Sequence, residues 1–188
     1  ACARYLNYKK KFKNLPDAIF INGTANKNIK SLNSQFNDKA KQITKSIFGE
    51  GINDEKILGK GISRLYGIVK EGFNISSIQF ALHYMFESKD TLNQFMLNLA
   101  ECTKLGGYFI GTSYDGNKIF NLLKSKQQNE SLIIKDKNSE LNLLEITKLY
   151  DSDIFKDDSS SLGYSINVFQ ESINKTFKEY LVNYKYLN

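Results

Sequence analysis

Apolar residues along the 188-residue chain follow several rhythms, and each predicts a different kind of element. Residues 1–14 set Cys2, Tyr5, Leu6 and Tyr8 among basic residues at spacings that allow a helix, which Pro16 and Asp17 close. Ala18-Ile19-Phe20-Ile21 is a short unbroken apolar run ending at Asn22-Gly23, the pattern of a buried parallel strand followed by a turn. Residues 26–70 are lysine-rich, carry scattered glycines and keep no period, so they are expected to form an insertion of short helices and loops. From Phe73 the rhythm sharpens. FNISSIQFALHYMF predicts a strand running into a turn and helix, and Thr91 to Thr103 puts Leu92, Phe95, Met96 and Leu99 on one helical face. Lys104 to Gly107 end that helix, Tyr108 to Thr112 is the next strand, and Asp115-Gly116 opens a helix over residues 117–125. The polar tract 126–160 holds two hairpin strands, Ser131–Lys135 and Leu141–Leu149, joined by exposed loops. Residues 164–170 alternate like a strand, and 171–182 resemble a helix. Strand, helix, strand and helix, with a β-rich insert at 126–160, predict an α/β fold resembling half of a doubly wound sheet.

Composition narrows the picture a little. A length of 188 residues with 41% hydrophobic content fits one domain, residues 1–188, whose core needs neither disulfides nor metals. Cys2 and Cys102 lie far apart without a CxxC spacing, which points away from a metal knuckle or redox pair and fits free thiols in a reducing compartment. No apolar run approaches the roughly 18 residues of a membrane span, and no signal-peptide pattern opens the chain, so a soluble intracellular protein is expected. The net charge of +6 would draw a polyanion such as RNA, although lysine and asparagine enrichment fits an AT-rich genome equally well. The chain opens at Ala1 within a helix-like run and stops in the aromatic EYLVNYKYLN, which reads as a segment cut from a longer protein.

The chemistry concentrates in Gln79-Phe80-Ala81-Leu82-His83-Tyr84, followed by Met85-Phe86-Glu87-Ser88, a run that holds the single histidine. Aromatics and a histidine just beyond the carboxyl end of a strand lie where open α/β sheets bind ligands. The same spacing also fits Phe80, Tyr84 and Phe86 as core, with His83 as a satisfied polar neighbour, and spacing alone does not decide. Gly49-Glu50-Gly51 and Gly59-Lys60-Gly61 follow no apolar strand, so they read as loop glycines rather than a nucleotide-binding fingerprint.

QFALHYMFES, together with Lys104-Leu105-Gly106-Gly107-Tyr108-Phe109-Ile110-Gly111-Thr112, resembles the corresponding run of mRNA cap guanine-N7 methyltransferases of a large-DNA-virus type. Residues 163–182, GYSINVFQESINKTFKEYLV, are similar to that family's segment ending in an acidic residue, an aromatic, Leu and Val, and Ala1 to Tyr5 resemble its helix after the second strand. Residues 26–70 match only loosely.

The resemblance implies a Rossmann-like, class I S-adenosylmethionine-dependent methyltransferase fold with a β-rich cap-binding insert. The family's first strand and its Asp-x-x-Cys-Gly-x-Gly-Gly donor loop do not occur in these residues, so weak donor binding is expected. The implied reaction carries the methyl of S-adenosylmethionine to N7 of the cap guanosine. Gln79, Tyr84 and Thr24 would contact the donor, with Thr24 following Asn22-Gly23 where the family has Asp. Phe80, His83, Tyr84, Tyr114 and Glu179 would hold the guanine; Tyr114 stands where many members have Pro. His83 and Tyr84 would orient the reactants without acid–base chemistry. Asn167 occupies a family aromatic position, for which Phe169 is the expected substitute. The implied partner is capped RNA, not DNA or membrane, with further capping-enzyme domains or an activating subunit beside it, in host cytoplasm or virion. The other reading is a catalytically silent cap-binding or RNA-binding module, separated from the enzyme by whether a donor loop lies upstream of Ala1.

Overall fold

Two parallel strands need a long crossover, and the chain after residue 72 supplies one. In the computed structural model, which describes residues 1–188, strand β1 (Phe73–Gln79) pairs in parallel with β2 (Thr103–Thr112), and helix α5 (Lys89–Cys102) joins them as a βαβ unit. Four α-helices precede them: α1 (Cys2–Lys11), α2 (Asp38–Ile47), α3 (Glu55–Leu58) and α4 (Lys60–Ser63). Ser88 opens α5 through a reciprocal capping box with Thr91. The ladder jumps from Phe73↔Thr103 to Ile75↔Tyr108, so Lys104 to Gly107 bulge out of it. Gly106, at φ +78°, supplies the left-handed turn this excursion requires. The buried face of α5 runs through Leu92, Phe95, Asn98 and Cys102, whereas Met96 is exposed, contrary to expectation. Asn98 takes the inward position by donating to the carbonyls of Ala25 and Lys27, which anchors the insertion to the helix.

Residues 26–70 are short helices and loops, as their lack of period predicts. Their apolar residues Ile47, Phe48 and Val69 form a core with Cys102, against which Ile19, Ile21, Ile29 and Ile43 pack. Ala18 to Ile21 do not form the expected strand: they belong to no ladder, and the nearest pairing is a single bridge, Gly23↔Gln35. A strand needs a hydrogen-bonding neighbour, and the parallel sheet here consists of β1 and β2 alone. The isoleucines of this run are held by side-chain packing instead.

After helix α6 (Gly116–Leu122) come β3 (Ser131–Lys135), β4 (Asn142–Lys148), β5 (Ser165–Gln170) and β6 (Lys175–Tyr180), an antiparallel meander in the order β3-β4-β5-β6, closed by α7 (Tyr184–Leu187). The two hairpin strands expected within 126–160 thus form half of a four-stranded sheet. Residues 171–182 are not helical, contrary to expectation. Residues 171–174 turn, with Asn174 at φ +52°, and 175–180 pair with β5. The free edge of β5 decides this, because cross-strand pairing overrides the weak helical spacing of ESINKTFKEYLV.

Opposed residues in an antiparallel ladder share a face. Ile166 opposes Glu179, Val168 opposes Phe177 and Gln170 opposes Lys175, so one face carries apolar core at β5 and functional groups at β6. Ile146, Ile166 and Val168 pack under Ile119, Phe120 and Leu123 of the α6 region. A second core joins Leu82, Met85, Phe86, Leu92 and Phe95 to Val182, just past β6. Gly116 locks the two together: its N–H donates to the Val182 carbonyl at 2.9 Å, and a Cβ there would fall 2.5 Å from that oxygen.

Phe86 is 0% exposed at the centre of this second core. Phe86→Ala is expected to lower unfolding stability by about 3–5 kcal/mol, whereas Leu105→Ala, at a fully exposed bulge, should stay within roughly 0.5 kcal/mol. Urea unfolding of both variants checks the contrast; a Phe86→Ala loss no larger than that of Leu105→Ala would mean the core is elsewhere.

Candidate functional site

The segment Leu82–Glu87 is a 3-10 helix, not the expected α-helix, and its three-residue turn sorts the side chains. Leu82 and Met85, then His83 and Phe86, point inward and are buried, while Ala81, Tyr84 and Glu87 fall on the outer side. Leu82, Met85 and Phe86 make core, so His83 is carried into the interior beside β6. Its Nδ1 lies 3.5 Å from Glu179 Oε2, with the two side chains 8% and 13% exposed. Its Nε2 is buried and has no hydrogen-bond partner. The Tyr84 ring meets the His83 ring edge-on, with centroids 4.2 Å apart. Phe80 precedes the segment at φ +51°, a strained conformation for a residue with a side chain, and its ring is 69% exposed. Its N–H is tied down by the Thr112 carbonyl at 2.9 Å. The neighbouring Gln79 side chain is gripped between Ser77 and Thr112 at the carboxyl end of β1.

These groups surround one cavity of about 570 Å³, lined by Phe80, His83, Tyr84, Tyr114, Gln170, Ile173, Phe177 and Glu179. Of the residues expected to hold a ligand, Phe80, His83, Tyr84, Tyr114 and Glu179 are brought together there. Gln79 stands next to it in sequence. Thr24 does not join them: it lines a separate cavity of about 280 Å³ with Gln35 and Phe48, and its hydroxyl donates to Asn26 at 2.6 Å. Asn167 and Phe169 oppose Lys178 and Thr176 on the sheet face away from Glu179, and neither lines this cavity. Gln170, Ile173 and Phe177 were not anticipated. Reading 175–180 as a strand would have found Phe177, since period two sets Lys175, Phe177 and Glu179 on one face. Gln170 donates a short hydrogen bond to the Tyr114 hydroxyl, which fixes that ring at the rim.

A larger cavity, about 800 Å³, lies between Ile19, Ile21, Val69 and Phe73. It adjoins the amino end of β1, whereas ligands of open α/β sheets bind beyond the carboxyl ends of strands, where Phe80 and His83 stand. The smaller cavity is therefore the candidate site.

Burial governs the ionisation there. It lowers the His83 pKa from 6.5 to about 4, so the imidazole is neutral at neutral pH, and raises that of Glu179 from 4.5 to about 7. Burial and the nearby Glu179 charge both raise Tyr84. The pair at 3.5 Å is thus not an ion pair at neutral pH, and the carboxylate has no cation to offset its desolvation.

Since the Glu179 pKa is higher in the folded chain than in the unfolded one, its contribution to stability is lost as pH rises from about 4.5 through 7. His83 acts in the opposite sense, its contribution being lost as pH falls from about 6.5 through 4. Glu179→Gln removes only the first effect, so its urea midpoint should gain on that of the wild type between about pH 5 and pH 8. A difference that stays constant across that range would show that Glu179 is not buried as described.

Residues 19–187 match the family described as the mRNA (guanine-N(7))-methyltransferase domain. The chain is similar to the probable mRNA-capping enzyme of Acanthamoeba polyphaga mimivirus, 30% identical over 188 residues that cover 95% of this chain and 14% of that protein. It is similar to the mRNA cap guanine-N(7) methyltransferase of Lodderomyces elongisporus, 33% identical over 140 residues, 73% of this chain and 21% of that protein. A shorter stretch of 51 residues, 27% of this chain and 14% of the relative, is 45% identical to the mRNA cap guanine-N(7) methyltransferase of Caenorhabditis briggsae. The chain therefore spans about a seventh to a fifth of the length of these relatives. With a match running through nearly all of its residues, the chain belongs to the mRNA (guanine-N(7))-methyltransferase domain family.

Proposed function

We propose that this chain forms the cap-guanine pocket of an enzyme that transfers a methyl group from S-adenosylmethionine to N7 of the guanosine cap of RNA. The observation that carries this reading is a single carboxylate, Glu179, set among aromatic rings and a neutral histidine in one cavity. Guanine alone among the common bases offers two adjacent donors, N1–H and the N2 amine, to one carboxylate, and the rings of Phe80 and Tyr84 supply flat walls for a purine. The orphaned Nε2 of His83 offers a further polar contact at the same wall. N7 carries a free lone pair, so no residue need take a proton. What the chain contributes is alignment of that lone pair.

The donor fits the residues present in part. Gln79, gripped by Ser77 and Thr112 at the carboxyl end of β1, together with Tyr84, is suited to hold its methionine end beside the guanine. Thr24 lines the other cavity and does not adjoin them. The bound donor supplies a sulfonium methyl that is already activated. On this reading β1, α5 and β2 are the βαβ half of a Rossmann-like sheet whose first strand and donor loop fall outside these residues, and the β3–β6 sheet is the cap-binding part. The name of the mimivirus relative, a probable mRNA-capping enzyme, supports a role in capping; on this reading the domain is joined to other capping activities and acts on capped RNA in host cytoplasm or virion. The limited parallel sheet favours a second reading, a silent cap-binding module, which the same experiment separates.

The test is titration calorimetry with GpppA and ApppA, followed by methyl transfer to GpppA. GpppA should bind about 100-fold or more tightly than ApppA, since adenine leaves the carboxylate unpaired, and Glu179→Ala should erase the preference. Equal binding of the two dinucleotides would rule out a guanine pocket; guanine-selective binding without methyl transfer would favour the silent module.

A further inference from the structure

The protein carries a net charge of +6, yet the candidate pocket has the opposite sign. Its lining holds one carboxylate, Glu179, and four aromatic rings, Phe80, Tyr84, Tyr114 and Phe177, with neither lysine nor arginine. His83 adds no charge at neutral pH, because burial holds it unprotonated. The Glu179 carboxylate lies 3.5 Å from that neutral ring. A half-enclosed carboxylate with aromatic faces around it and no counter-cation is costly when empty and is the arrangement that receives a delocalised organic cation.

Methyl transfer to a purine creates such a cation. The N7 lone pair forms the new bond to carbon as the sulfur–carbon bond breaks with its electrons left on sulfur. The positive charge thereby passes from sulfur to the imidazole half of the purine, and no proton moves. The N1–H and N2 donors become more acidic in the cation, so their hydrogen bonds to a carboxylate strengthen as the charge arrives.

Building on the guanine-pocket reading above, we propose that this pocket is selective for charge as well as shape: it binds the N7-methylated, cationic cap more tightly than the neutral one. Glu179 and the aromatic walls then do more than choose guanine. They stabilise the charge that develops on the purine during transfer, and they retain the product until it is displaced. Binding that strengthens along the reaction raises the rate of the chemical step, whereas binding equal in both states does not.

The experiment compares GpppA with its N7-methylated form by titration calorimetry on the chain at about pH 7, where Glu179 is partly ionised and the methylated guanine still largely keeps its N1–H. The methylated dinucleotide is expected to bind about tenfold more tightly. Glu179→Gln, which keeps the shape and removes the charge, should bring the ratio to about twofold or less. Phe80→Leu, which alters an exposed ring outside both cores, should also narrow the ratio, and it serves if the Gln variant binds neither compound. A ratio near one in the wild type, or one that survives in both variants, overturns the proposal. If GpppA binds without a methyl preference, charge selectivity alone fails; if neither dinucleotide binds, the guanine-pocket reading fails with it.

Discussion

The site depends on one packing event, the docking of the 3-10 segment Leu82–Glu87 against the end of β6. Leu82, Phe86 and Val182 are each almost wholly buried at that junction. Because a 3-10 turn repeats every three residues, burying Leu82, Met85 and Phe86 leaves no freedom for the residues between them. His83 has to enter beside Glu179, and Tyr84 has to face outward. The hydrogen bonds from Gly163 to Phe86 and from Gly116 to Val182 fasten the same junction from both sides. A loss of packing at this point would be felt as a loss of site geometry before any loss of chemistry.

Electrostatics follow from that docking. Burial that keeps His83 neutral also makes the Glu179 carboxylate expensive, and the two costs are compatible because neither group offers the other a full charge. An ion pair there would have satisfied Glu179 within the protein and left nothing for a ligand to gain. The unsatisfied arrangement instead reserves the hydrogen-bonding capacity of the carboxylate for a partner that brings donors.

Much of the fold was legible in the sequence because its strongest rhythms are local. The strand from Phe73, the helix expected from Thr91 to Thr103, and the β3–β4 hairpin all lie close to where periodicity and turn residues put them. The failures share a cause. Ala18 to Ile21 have the composition of a strand but no ladder, and 171–182 have helical spacing but form a turn and a strand; in both cases pairing with a neighbour, which no local pattern reports, made the decision. The site was legible for the same reason in part. Phe80, His83 and Tyr84 sit in one continuous motif, and Glu179 was reached through family resemblance. Phe177 was hidden by the misread strand, and the separation of Thr24 from the pocket depends on how the insertion folds back on α5 through Asn98.

The central claim, that the cavity between the 3-10 segment and β6 receives the cap guanine, is tested most directly by a crystal structure of the chain with GpppA. The account predicts the guanine between Phe80 and Tyr84, its N1 and N2 edge about 3 Å from the Glu179 carboxylate and N7 turned toward Gln79. Guanine seated instead in the cavity beside Ile19 and Phe73, with the pair of His83 and Glu179 untouched, would contradict it.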